Sequence, residues 1–173
     1  MKLNKLVIKL VTALFVLSGM IVFAANNETV SRALNIIRPE VKVNISAVVK
    51  RNEKYVAADK VEAVKSGEVL IWRIDSVNEG NAAANNYQVV GRIPEGTSFV
   101  PGSAESANEA AVTYSIDNGK EFSAKPMIEE TQADGSVKKV PAPASTFTHL
   151  KFESSDPLAV NGKLGSTYRV RVK

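Results

Sequence analysis

The sequence predicts an all-β domain folded as an antiparallel β-sandwich, and three observations carry that reading. Apolar and polar residues alternate over a succession of short runs, the period of strands with one face buried. Gly, Pro, Asn and Asp clusters punctuate these runs at spacings of roughly 8–12 residues, as in all-β sandwiches. No amphipathic helical period of comparable length competes with them. The chain has 173 residues, 45% hydrophobic and 23% charged, which is the composition of one globular domain and not of a disordered chain.

The first element is a leader. Lys2, Lys5 and Lys9 precede an apolar stretch over 10–23, and Ala24, Ala25 and the polar run Asn26-Asn27-Glu28 follow. A charged start, an apolar core short of a membrane span and a small-residue exit predict a helical signal peptide over 1–24, cleaved after Ala24. The protein is therefore expected to be exported, to the periplasm, the cell surface or the extracellular space. It touches the membrane only if the leader stays uncleaved. Three of the four net positive charges belong to the leader, so the part from Ala25 onward is nearly neutral. Without a Lys/Arg cluster interleaved with aromatics, nucleic acid is not an expected partner. The absence of cysteine excludes disulfide staples, thiol chemistry and lipoprotein processing, so the core alone must hold the fold.

Residues 25–40 read as a flexible lead-in and 41–173 as the sandwich domain. Val41, Val43, Ile45, Ala47 and Val49 alternate with Lys42, Asn44, Ser46 and Val48, a half-buried strand that ends in a polar turn over 50–54. Residues 55–64 fit either strand or helical turn, with strand preferred. The strongest strand covers 68–78: Leu70, Trp72, Ile74 and Ser76 share one side, and Arg73 and Asp75 mark the other as the wet one. Trp72 is thus expected in the core. A small-residue loop over 81–86 leads to a strand over 87–93, which Pro94-Glu95-Gly96 ends, and 98–100 is a short strand before Pro101-Gly102-Ser103. Further on, 111–116 is a strand with a return arm over 121–123, joined through Asp117-Asn118-Gly119-Lys120. Residues 127–131 and 136–140 flank Ala133-Asp134-Gly135 as a hairpin, and Pro141-Ala142-Pro143-Ala144 is a stiff connector. The last strands cover 146–153 and 166–173, the latter with Tyr168, Val170 and Val172 facing in and Arg169, Arg171 and Lys173 facing out. As the final strand, 166–173 is expected to lie open at a sheet edge, guarded by its charges or docking a partner.

Across 66–173 these turn signals form a recognisable pattern. Gly67 to Ile74, the Asn78-Glu79-Gly80 turn, the Ala-rich loop over 82–86, and Ile93-Pro94-Glu95-Gly96-Thr97-Ser98-Phe99-Val100 resemble the conserved-repeat domain of bacterial surface and secreted proteins, domain of unknown function eleven. Asp156-Pro157-Leu158, Asn161-Gly162 and the closing valine–arginine strand resemble the C-terminal edge of that family. In this pattern Pro94 stops a strand, Gly96 takes a positive φ and Phe99 plugs the core. The chain departs from it at Gly91, where members often carry Asp, and has one copy where relatives often have tandem copies. The resemblance implies an immunoglobulin-like sandwich used as a structural or adhesive spacer. It implies no catalytic residues.

Chemical candidates are few. His149 is the sole histidine and sits within a strand, without a second His, a Cys pair or a nucleophile elbow to serve. Glu129 and Glu130 are neighbours on a strand and face opposite ways. Asp117-Asn118-Gly119 and Asp134-Gly135-Ser136 lack the ligand series of a calcium loop and read as turns. Asn27-Glu28-Thr29 and Asn44-Ile45-Ser46 match the glycosylation sequon, which a bacterial leader discounts. Lys42 would be the amine of a self-made isopeptide, yet 166–173 contains no Asn or Asp to receive it. No catalytic, cofactor-binding or metal residues are therefore expected. The reading is a non-enzymatic structural or interaction module of the envelope or surface, with an envelope or surface protein as partner. A small secreted ligand-binding protein or enzyme with an unrecognised site is the alternative.

Overall fold

The computed structural model describes residues 37–108 and 110–173. The expected signal peptide, the Asn27 sequon and most of the lead-in lie outside the described residues. The described part is all-β, with eleven strands, two 3-10 turns and only antiparallel pairing.

The larger sheet is built on three long strands. Strand β1 (Val41–Arg51) pairs with β3 (Val69–Asn78) in unbroken register, from Val41 opposite Asn78 to Val49 opposite Leu70. On the other side of β1, β2 (Lys54–Ala57) folds back on its last four residues. Asn52 and Glu53 make that hairpin with φ of +46° and +65°, the left-handed pair that matches strand twist. Strand β11 (Lys163–Val172) takes the other side of β3, with Tyr168 opposite Trp72. The far side of β11 is occupied by β5 (Thr97–Phe99) and β6 (Glu105–Ser106).

The smaller sheet has the order β4 (Gln88–Arg92), β10 (His149–Glu153), β7 (Ala111–Ser115). A separate hairpin of β8 (Met127–Thr131) and β9 (Val137–Pro141) closes through the expected Asp134-Gly135 turn. One apolar core draws on both sheets: Val49, Leu70, Ile74, Phe99, Tyr168 and Val170 from the larger, Val89, Leu150 and Phe152 from the smaller. Phe99 is buried there, against Tyr114 at 5.3 Å and Phe147 at 6.0 Å between ring centroids.

Trp72 lies on the expected face, half-buried against this core and stacked on Tyr168 at 6.3 Å. Tyr168 is the more central ring, only 1% exposed. Its hydroxyl crosses between the sheets and donates to the Arg92 carbonyl at 2.6 Å. Gly91 makes room for it, because a Cβ at that position would stand 2.6 Å from Tyr168 Cε1. Glycine at position 91 thus has a packing cause. Burial pushes the Tyr168 phenol well above its ordinary pKa.

Several expected boundaries move. The strand preferred over 55–64 ends at Ala57, and a 3-10 turn (Ala58–Lys60) follows, with only Ala58, Val61 and Val64 touching the core. The return arm at 121–123 reduces to one bridge between Ser123 and Tyr114. Phe122 there lies against the Lys151 ammonium, 5.5 Å from its ring centre. A 3-10 turn (Ala144–Thr146) delays the next strand to His149, and β11 begins three residues early, at Lys163. The two-residue β6 carries no alternation and is invisible to a period argument.

Candidate functional site

The buried polar groups are the first place to seek chemistry; Trp72 Nε1 and Thr113 Oγ1 lack a partner among the described residues, and the largest buried polar side chain, Asn78, is tied to the backbone. Asn78 is fully buried at the end of β3. Its Oδ1 accepts from the backbone N–H of Glu40 and of Gly80, each at 3.1 Å. Its Nδ2 donates to the carbonyls of Ala82 at 2.7 Å and Leu158 at 2.9 Å. An amide side chain has two acceptor and two donor positions, and all four are filled. One side chain thereby fastens its own turn to two segments that are remote in sequence, at Glu40 and at Leu158. Residues 38–40 run so close to the turn that a Cβ at Gly80 would meet Glu40 N at 2.3 Å.

The expected turns have the same character. Asp117 Oδ1 accepts from Ser115 Oγ at 2.6 Å and from the N–H groups of Lys120 and Glu121 at 3.1 Å. These bonds hold its pKa below the ordinary carboxylate value, the Ser115 contact first among them. Asp134 Oδ1 accepts from Ser136 Oγ at 2.6 Å and from Ser136 N–H at 2.9 Å. His149 packs over the Gly119 turn with Nδ1 3.2 Å from Thr148 Oγ1. Burial, and then the charge of Arg92, lower its pKa. Glu129 and Glu130 stand on the exposed hairpin opposite Lys139 and Lys138. Lys42 is paired with Glu40 at 2.7 Å on the surface. The structure thus brings His149 onto the Asp117-Asn118-Gly119 turn and, among the described residues, joins none of the other candidates to it. A groove of about 320 Å³ beside Asp117 and Phe122 adds Glu121, Lys125 and Met127; of its two carboxylates, that of Asp117 is already committed to the turn.

The expectation of an open edge at 166–173 is overturned. β11 is interior: β3 pairs with it from Lys163 to Arg171, and β5 and β6 hold its other side. Val100 N–H and Ala107 N–H also donate to its carbonyls. Being last in sequence does not make a strand last in a sheet. The segments after β4 return to cover it.

The open edge belongs to β1. Among the described residues, β2 pairs with β1 only from Val48 to Arg51, and 41–47 has β3 on one side and no strand on the other. The five residues 42–46 are all exposed, both faces included. Val43 is 45% exposed and Ile45 51%, although they share the inward face with Val49, which is 1% exposed. The cause is the width of the layers. Three strands at roughly 4.8 Å spacing cannot roof a path of five. Loops extend the roof over the Asn78 end, where Ala84, Leu158 and Leu164 form a second small core, but of β1 only Val41 packs against it. Alternation in β1 was legible from sequence; the uncovered edge was not, because the layer that fails to reach it is encoded far away in the chain.

No family model matches the chain, and neither does any curated protein or solved structure.

Proposed function

We propose that the protein is an exported, non-enzymatic structural or interaction module of the bacterial envelope or surface, an immunoglobulin-like sandwich of the conserved-repeat kind. The observation that carries this reading is the β1 edge: among the described residues no strand pairs with 41–47 on the side away from β3, beside exposed Val43 and Ile45. Alternate residues of an antiparallel edge direct N–H and C=O outward, which is the template for strand addition by a protein partner. The saturated amide of Asn78 and the turn-bound carboxylates of Asp117 and Asp134 support it as well, since these groups hold loops. Turn chemistry at Asn78-Glu79-Gly80 and at Pro94-Glu95-Gly96 keeps the family resemblance as part of the proposal.

The test uses the protein recovered from cells. Its intact mass should begin at Ala25, and a mass that includes Met1 would contradict cleavage of the leader. A photo-activatable residue at position 45 should then crosslink to a discrete envelope or surface protein, and the same residue at exposed Glu95, on a turn away from this edge, should not. Turnover of any substrate that is lost in His149→Ala would overturn the non-enzymatic reading.

A further inference from the structure

From the sequence and geometry of this edge we infer that its partner is a second copy of the same chain, joined β1 to β1 in antiparallel register about Asn44. The inference rests on the interaction reading above and names the partner. The open stretch is bounded on one side by β2, which pairs from Val48 onward, and on the other by Pro39, which has no N–H to offer a ladder. Asn44 is the middle of 41–47, so a two-fold axis at Asn44 lets both copies use the whole open stretch at once.

That register suits the side chains. On the inward face, Val43 of each copy lies opposite Ile45 of the other, so the two exposed apolar residues cover one another. On the outward face, Lys42 lies opposite Ser46, and no like charges meet. The two Asn44 amides adjoin at the axis, each with a donor and an acceptor for the other. Lys42 is the only charge along 42–46, and Glu40 already holds its ammonium at 2.7 Å. Edges are normally guarded by lysines, prolines or brevity. Most other margins follow that rule: β5 and β6 are three and two residues long, β2 carries Lys54 and β4 carries Arg92, while the uncharged five-residue β7 is bridged at Tyr114 by Ser123. β1 is the long and lightly guarded one.

The register gives a charge-swap test by sedimentation equilibrium of the exported protein over a concentration series. Wild type should self-associate. Val43→Lys with Ile45→Lys sets lysines opposite each other twice and should weaken association about tenfold or more, with the melting temperature of the dilute protein unchanged. Val43→Lys with Ile45→Glu keeps two charges per copy but places each new lysine opposite a new glutamate, so association should return and weaken with salt. A swap variant as monomeric as the double-lysine variant would overturn the Asn44 register. Wild type that stays monomeric at every concentration would overturn the second copy as partner. Crosslinking from position 45 then separates the two readings. An envelope adduct from a monomeric protein keeps the interaction reading and removes the second copy, and no adduct removes both.

Discussion

β1 and β11 flank β3 on either side, have nearly equal length at eleven and ten residues, and alternate apolar with polar residues equally well. Their environments differ. Leu164, Ser166, Tyr168 and Val170 on the inner face of β11 are all buried, whereas Val43 and Ile45 on the inner face of β1 are about half exposed. The difference comes from what stands across the gap. β11 lies under β4 and the loops pinned by Asn78, and its Tyr168 hydroxyl reaches Arg92 on the facing sheet. β1 lies beyond the margin of the narrower layer. Alternation therefore reports which side chains share a face, and it reports neither whether that face is covered nor whether the strand is an edge.

Mutations on the two strands should separate them sharply. The largest effect is expected on β11: Tyr168→Ala removes a fully buried ring, its stack on Trp72 and its bond to Arg92, and should cost about 4 kcal/mol in urea denaturation. Asn78→Ala leaves the N–H groups of Glu40 and Gly80 and the Ala82 carbonyl without the Asn78 partner, while the Leu158 carbonyl keeps the Ala84 N–H, and should cost about 3 kcal/mol. That loss also loosens the roof over Leu164, so the Asn78 end of β11 should come to resemble β1 in hydrogen exchange. Val170→Ala, at a site with no exposure, should cost about 2 kcal/mol, and Ile45→Ala in the dilute protein less than about 0.5 kcal/mol. Equal losses at Val170 and Ile45 would erase the comparison. The smallest effect is expected from Arg169→Glu with Arg171→Glu on the outer face of β11, within about 0.5 kcal/mol and without change in self-association. Loss of association there would return docking to the last strand.

Much of this fold was legible in the sequence. The face of β3 that carries Leu70, Trp72, Ile74 and Ser76 follows from its period, the φ of +75° at Gly96 from turn chemistry, and the burial of Phe99 was implied by the resemblance. Local rules decide such features, so local sequence reveals them. The central place of Tyr168 was hidden because it depends on the vacancy at Gly91, 77 positions earlier in the chain. The role of Asn78 was hidden for the same reason: an Asn-x-Gly turn announces itself, but bonds to Glu40 and Leu158 do not. The candidate edge was misplaced because sheet order is set by non-local pairing. Sequence position favoured β11, and the returning β5 and β6 reversed the outcome.

Residue-resolved amide hydrogen exchange, followed from dilute to concentrated protein, tests the open β1 edge most directly. In dilute protein, alternate amides of 42–46 should exchange rapidly while those of 164–171 stay protected throughout, as unpaired and doubly paired strands require. At high concentration the exposed amides of 42–46 should become protected as second copies add to the edge. Full protection of 42–46 in dilute protein, or rapid exchange at alternate positions of β11, would contradict the account.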